Sequence, residues 1–241
     1  MDEAAADAAS RLIVALDFPT ADEAARLAMQ LQGQISIFKI GLELIYAGGG
    51  LDLVRQLTGA GHQIFLDAKL LDIPNTVERA TANAAGLGAA FITVHGTDRK
   101  TLDAAMRGRG SAATKLLAIT VLTSLDDADL REQHISLGPA ELVVRRARLA
   151  RDAGFDGVVA SAQEAASIRA ELGEGLLIVT PGIRPAGAEP GDQSRVVTPG
   201  EAIARGADYL VVGRPISAAA NPPAAARAII EEMAAARAGR H

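Results

Sequence analysis

The chain has 241 residues, a length that suits one α/β barrel, and we interpret it as a single domain spanning residues 1–241. Its net charge of -5 and its few aromatic residues argue against a nucleic-acid surface, and the absence of cysteine excludes disulfides, thiolate catalysis and cysteine-bound metals. The longest apolar runs stay below about 18 residues and the start is acidic, so the sequence predicts neither a membrane span nor a secretory signal, and a cytoplasmic location is the default.

Eight short apolar segments rich in strand-forming residues recur along the chain, separated by alanine-rich amphipathic segments. The predicted strands cover residues 12–16, 35–40, 63–66, 91–95, 116–122, 157–160, 176–180 and 209–213. The predicted helices cover residues 21–32, 51–60, 77–87, 98–106, 140–153, 162–172 and 199–205. This alternation predicts parallel strands with crossover helices, and eight units fit a single-domain (β/α)8 TIM barrel. A doubly wound sheet is the competing architecture. The two ends of the chain, residues 1–10 and 234–241, are predicted to fray.

Polar residues follow nearly every predicted strand, at the end where barrels of this kind carry their reactive groups. These residues are Asp17, Lys39, Asp67, Lys69, His95, Thr123, Ser124, Ser161, Arg184 and Arg214. The sequence therefore predicts that they form one functional rim.

The densest charge cluster lies in residues 67–76, directly after the third predicted strand. Alternation along a strand puts Asp67 and Lys69 on one face, where they can contact each other and a common ligand. Asp72 follows where the chain leaves the strand, and Pro74 fits the first turn of the next helix. A solvated ion pair at a strand end is the plain alternative.

Two segments with glycine and arginine follow the seventh and eighth predicted strands. Residues 180–185 contain Gly182 and Arg184, and residues 211–215 contain Gly213 and Arg214. Loops at these two places commonly form a phosphate site from backbone N–H groups and cationic side chains. The segment 185–195 is predicted to be a mobile loop that closes over the phosphate, with Gln193 as its contact.

In these motifs, and in residues 15–17, 38–41, 94–96, 122–124 and 192–195, the chain resembles the orotidine 5′-monophosphate decarboxylase family nearly end to end. The Asp-x-Lys-x-x-Asp-Ile-Pro-x-Thr element at 67–76 is the most specific part of the match. The resemblance implies an enzyme of pyrimidine biosynthesis that converts orotidine 5′-monophosphate to uridine 5′-monophosphate without a cofactor. It also implies a homodimer with shared active sites.

The resemblance implies a role for each matching residue. Lys69 is implied to protonate carbon 6 of the pyrimidine, held by Asp67 and by Asp72. In family dimers the second subunit supplies Asp72, Ile73 and Thr76. Asp17 and Lys39 are implied to bind the ribose hydroxyls, and Lys39 is also implied to belong to the catalytic charge network. Thr123 and Ser124 are implied to contact the pyrimidine edge. The implied contacts toward the phosphate are Pro181, Arg184, Gln193, Gly213 and Arg214. His95 is left as a supporting or structural group.

Two other functions stay open at this point. One is a magnesium-dependent sugar-phosphate decarboxylase or aldolase of the same barrel superfamily, and the other is a non-catalytic barrel that binds a phosphate ligand. The continuation 73–76 of the charge cluster favours the nucleotide enzyme. The four histidines show no paired ligand spacing, so no transition-metal site is predicted. Neither nucleic acid nor a membrane is an expected partner.

Overall fold

The eight strands close into a parallel barrel in the order in which they occur along the chain, β1 pairing with β8. The structure, a computed structural model, describes residues 3–186 and 197–239. The strands are β1 Leu12–Ala15, β2 Ile37–Ile40, β3 Gln63–Leu70, β4 Phe91–His95, β5 Lys115–Ile119, β6 Gly157–Val159, β7 Leu177–Thr180 and β8 Tyr209–Val212. The predicted (β/α)8 barrel is confirmed, and the doubly wound alternative is wrong.

Helices cover the outside of the barrel. They are α1 Glu3–Ala9, α2 Ala21–Gln30, α3 Leu42–Ala47, α4 Gly50–Gly59, α5 Pro74–Gly86, α6 Arg99–Arg109, α7 Asp127–Glu132, α8 Pro139–Asp152, α9 Ala162–Leu172, α10 Pro199–Ala204, α11 Arg214–Ser217 and α12 Pro222–Ala238. Capping residues fix several of their starts. Thr20, Asp98 and Ser161 each accept a hydrogen bond from a backbone N–H in the first turn, and Pro74 begins α5 as predicted. Within the described ranges, no helix combines the length and the apolar character needed to cross a membrane.

Alternating strand residues feed two separate cores. One set, such as Val14 and Leu16, packs outward against the helices. The other fills the barrel itself and consists of Ile13, Ala15, Ile37, Phe65, Phe91, Leu117, Val179 and Val211. Because these side chains pack the barrel interior, the expected place for a ligand in this fold is the mouth formed by the carboxyl ends of the strands.

Two aspartates brace the amino-terminal ends of neighbouring strands in the same way. Asp156 precedes β6 and accepts hydrogen bonds from a backbone N–H of β5 at 2.8 Å and from Arg109. Asp208 precedes β8 and accepts from the Ile178 N–H of β7 at 2.7 Å and from Arg169. Each carboxylate thus ties together two strands and one helix at the end of the barrel opposite the mouth.

The structure corrects the predictions for strands β3 and β5 and for both ends of the chain. Strand β3 runs on to Leu70, four residues past the predicted end, because the chain passes through a bulge and then pairs again with β4. Strand β5 stops at Ile119, since Val121 and Leu122 leave the sheet and line the mouth. The prediction of frayed ends is wrong for residues 3–9 and 234–238, which lie in α1 and α12. These helices pack together, and Asp7 makes an ion pair with Arg237 at 2.7 Å.

Candidate active site

A cavity of about 610 Å³ opens at the carboxyl ends of the strands. Nine of the residues predicted to form the site line it, namely Asp17, Lys39, Asp67, Lys69, Thr123, Pro181, Arg184, Gly213 and Arg214. Its deeper wall is apolar and includes Phe65, Ile119, Val159 and Val211. The cavity therefore combines an apolar floor with charged groups at its rim, a combination typical of small-molecule sites.

Four charged side chains of alternating sign run across strands β1 to β3. The Lys39 Nζ lies 2.7 Å from the Asp17 Oδ1 and 3.9 Å from the Asp67 Oδ2, and the Lys69 Nζ lies 2.5 Å from the same Asp67 oxygen. The side chains of Lys39 and Asp67 are only 10% and 14% exposed, so water screens their interaction weakly. The network has no net charge of its own, and its outermost cation, Lys69, points at the cavity.

Lys69 sits in a bulge that holds it in an uncommon backbone conformation. Leu66 pairs with Ile92 and Leu70 pairs with Val94, so three residues of β3 stand opposite one residue of β4. Lys69 has a φ of 48°, in the left-handed region that a lysine rarely adopts. Strained conformations of this kind persist where surrounding contacts enforce them, and they cluster at functional sites.

The one residue opposite the bulge is Thr93, which the sequence-based prediction missed. Its side chain is fully buried, its hydroxyl donates to the Asp67 Oδ1 at 2.9 Å, and it accepts the Lys69 backbone N–H at 2.9 Å. The sequence signal was weak, because Thr93 only shares its face of β4 with Phe91 and the polar His95. Thr93 connects the central carboxylate to the backbone of the lysine.

Gly41, directly after β2, allows the network to pack closely. A Cβ at this position would lie 2.8 Å from the Lys39 Nζ and 3.3 Å from the Asp17 Oδ1. Any other residue would therefore push the ammonium away from its carboxylate.

Two arginines stand together on the β7 and β8 side of the mouth. Both line the cavity, and burial and then the positive charge of Arg214 lower the pKa of Arg184. Gly182 has a φ of 77°, which lets the chain turn between Pro181 and Arg184. Paired cations beside a glycine turn are suited to binding an anion. Gln193, which was also predicted to contact the phosphate, lies outside the described residues.

His95 lies at the end of β4, half-buried beside the charge network. Burial, and then the positive charges of Lys69 and Arg146, lower its pKa. The Arg146 guanidinium donates to the Thr120 carbonyl at 2.5 Å, which anchors it behind the rim. The lowered pKa favours the neutral imidazole. His95 does not line the cavity.

Four of the residues that the resemblance assigned to the site are not brought into the cavity of this chain. Asp72, Ile73, Thr76 and Ser124 do not line it. The Asp72 carboxylate instead accepts the Ile73 backbone N–H at 2.6 Å. Among the described residues, Asp72 makes no ion pair with Lys69, so this chain alone supplies Lys69 with one carboxylate, that of Asp67.

Among residues 3–186 and 197–239, no group of three histidine, aspartate or glutamate side chains is arranged to hold a metal ion.

Residues 10–229 match the family described as orotidine 5′-phosphate decarboxylase / HUMPS. The chain belongs to this family. The resemblance stated from the motifs is thus confirmed over nearly the whole sequence.

Several curated relatives of this family member carry the name orotidine 5′-phosphate decarboxylase. The protein from Afipia carboxidovorans is 54% identical over 226 residues, covering 94% of this chain and 95% of the relative. The protein from Methylobacterium sp. (strain 4-46) is 56% identical over 227 residues, covering 93% of this chain and 95% of the relative. These matches confirm the predicted enzyme class, a carboxy-lyase.

Solved structures show the same barrel. The orotidine 5′-phosphate decarboxylase from Lactobacillus acidophilus superposes with a TM-score of 0.82 at 38% identity, covering 93% of this chain and 99% of that one. An uncharacterized conserved protein from Geobacillus kaustophilus gives a TM-score of 0.80, also at 38% identity, covering 92% of this chain and 99% of that one.

Proposed function

We propose that this protein decarboxylates orotidine 5′-monophosphate to uridine 5′-monophosphate and carbon dioxide, with Lys69 as the proton donor to carbon 6. The observation that carries the proposal is the charge network in which the Lys69 ammonium lies 2.5 Å from Asp67 and faces a cavity with an apolar floor. Family membership and the names of the curated relatives support the substrate.

The order of the strands supports the orientation of the nucleotide. Arg184 and Arg214 follow β7 and β8, Asp17 and Lys39 lie at the ends of β1 and β2, and Lys69 lies on β3. Because these five strands are consecutive around the barrel, an anion site, a polar site and the reactive lysine follow one another along the rim. A phosphate, a ribose and a pyrimidine occur in the same order along the proposed substrate. Thr123, after β5, also lines the cavity and is proposed to contact the pyrimidine edge.

The chemistry requires a proton at one defined carbon. When the bond between carbon 6 and the carboxylate breaks, the electron pair stays on carbon 6 and carbon dioxide leaves. The Lys69 ammonium stabilises the developing negative charge and donates the proton that completes the product. Water then returns a proton to the amine. Asp67 keeps the ammonium in place, and the apolar floor excludes water that would weaken these electrostatic interactions.

Binding energy at the phosphate contributes to the reaction at the other end of the substrate. The two arginines grip a group that takes no part in bond breaking, and this grip holds carbon 6 at the lysine. Gln193 is proposed to add a further phosphate contact.

We also propose that the enzyme is a homodimer whose second subunit completes each site with Asp72, Ile73 and Thr76. Two observations support this. Asp72 lies outside the cavity of its own chain, and the neighbouring Leu71 and Ile73 side chains are 55% and 67% exposed, an apolar surface that an interface would bury. Residues 1–241 are proposed to act as one domain in the cytoplasm.

The function is tested by following the ultraviolet absorbance of orotidine 5′-monophosphate with purified protein, excess chelator and no added cofactor. Rapid conversion to uridine 5′-monophosphate is expected. If folded protein converts none, the proposal fails, and the magnesium-dependent sugar-phosphate reactions are assayed next with metal restored.

The shared site is tested by mixing subunits. Neither Asp72→Ala nor Lys69→Ala homodimers should turn over substrate at an appreciable rate. Random exchange of the two variants makes heterodimers with one intact site, so about a quarter of wild-type activity should return. No return of activity after confirmed subunit exchange would contradict the shared site.

A further inference from the structure

Thr93 has no place in the reaction proposed above, although its hydroxyl contacts both of the central charged residues. It stands alone opposite the three bulged residues 67–69, because its neighbours on β4 pair with Leu66 and Leu70. It is fully buried and does not line the cavity, so it cannot contact the substrate.

Three hydrogen bonds close a ring around this threonine. The Lys69 backbone N–H donates to the Thr93 hydroxyl, the hydroxyl donates to one Asp67 oxygen, and the other Asp67 oxygen accepts the Lys69 ammonium. The ring contains both ends of the lysine residue, its backbone and its charged tip. A hydroxyl is needed here because it donates and accepts at once.

We propose that Thr93 is a positioning residue whose hydroxyl fixes the Lys69 ammonium against Asp67 and toward the cavity. Without the hydroxyl, the Lys69 N–H and one Asp67 oxygen lose their partners in a part-buried place, and the left-handed turn at Lys69 loses a contact that enforces it. The lysine then samples orientations that do not reach the reacting carbon. This inference rests on the proposed function.

The test compares Thr93→Val, which keeps the shape and removes the hydroxyl, with Thr93→Ser, which keeps the hydroxyl. The control is Thr81→Val, which removes an equally buried hydroxyl that donates to the Val77 carbonyl within α5, away from the cavity. Thr93→Val should lower kcat for orotidine 5′-monophosphate by about 10- to 100-fold and leave KM within about threefold, because the phosphate grip is untouched. Thr93→Ser and Thr81→Val should keep kcat within about threefold of wild type.

Hydrogen exchange of the Lys69 amide, followed by NMR, gives a readout that does not depend on activity. Exchange should accelerate in Thr93→Val and stay slow in Thr93→Ser. If the valine variant does not fold, Thr93→Ala and Thr93→Ser replace the pair, with the same expected contrast. An unchanged kcat without the hydroxyl, a serine variant as impaired as valine, or a loss confined to KM overturns the inference. Wild-type protein that fails to convert the substrate overturns the proposed function instead, and the amide exchange still decides whether Thr93 holds the lysine.

Discussion

Replacing Asp67 with asparagine removes the central charge of the network and keeps its shape. The wild-type network has two carboxylates and two ammonium groups, and the variant keeps the carboxylate of Asp17 alone. The asparagine side chain keeps one accepting oxygen, so the variant loses the charge and also one of the two acceptors that Thr93 and Lys69 use in the wild type. We expect Asp67→Asn to lower both the stability of the fold and the turnover of orotidine 5′-monophosphate.

The distances from Asp67 to the two lysines set the size of the expected loss of stability. At an effective dielectric constant of about 20, Coulomb attraction to Asp67 is roughly 7 kcal/mol for Lys69 at 2.5 Å and roughly 4 kcal/mol for Lys39 at 3.9 Å. Desolvation offsets most of this, and removing one partner of a buried pair costs about 3 to 5 kcal/mol. Because the Lys69 side chain is 30% exposed and can turn to water, we expect the lower end, about 3 kcal/mol. For a chain of this size that lowers the Tm by about 6 to 12 °C.

Thermal unfolding followed by circular dichroism measures the shift, and steady-state kinetics should show a fall in kcat/KM of at least about 100-fold. The matched control is the double variant Asp67→Asn with Lys69→Met, which restores a neutral network. It should recover at least about 1 kcal/mol of the lost stability while staying inactive. The reasoning is refuted if Asp67→Asn leaves the Tm unchanged or raises it, or if the second substitution only adds to the loss.

Three further predictions concern other parts of the molecule. Asp208→Ala removes the better-buried carboxylate partner of the Arg169 guanidinium, whose side chain is 9% exposed and which keeps only the exposed Glu174 at 3.4 Å. Unfolding in urea should therefore show a loss of about 3 kcal/mol while kcat is kept, and a large loss of kcat would contradict this. The pKa of His95 is lowered from 6.5 by burial first, so below that pH the unfolded chain binds more protons than the folded one, and stability should fall as the pH drops from 6.5 toward the folded-state pKa. Urea midpoints between about pH 5 and pH 7.5 should therefore change less with pH in His95→Gln than in wild type, and equal slopes would show that His95 has no part. Arg214→Ala should reduce kcat/KM for orotidine 5′-monophosphate by about 10- to 100-fold and leave the slow turnover of phosphate-free orotidine unchanged, whereas equal losses on both substrates would argue against a phosphate contact.

Much of the fold could be predicted because strand and helix alternate with clear hydrophobic patterns. The eight strands were located, and the closed barrel followed from their number. The bulge in β3 could not be predicted, since it depends on which β4 residues pair with Leu66 and Leu70. Five helices in the described part of the chain were not predicted, the short α3, α7 and α11 and the terminal α1 and α12. The last two pack against each other, a long-range contact that local composition does not reveal.

The site shows a similar division. Residues such as Lys39 and Arg184, at or just after strand ends, could be assigned to one rim because parallel strands bring their ends together. Thr93 was missed because one hydroxyl inside an apolar strand looks like an ordinary buried threonine until its partners are known. Asp72 lies outside the cavity of its own chain, and its predicted place in the site requires a second subunit.

The most direct test of the central claim compares wild-type protein with Lys69→Ala in the chelator-containing ultraviolet assay, with circular dichroism and binding of uridine 5′-monophosphate as controls for folding and for an intact pocket. The account predicts that the variant folds, still binds the product, and converts orotidine 5′-monophosphate at least about 1,000-fold more slowly than wild type. Turnover by the folded variant at close to the wild-type rate would contradict the assignment of Lys69 as the proton donor.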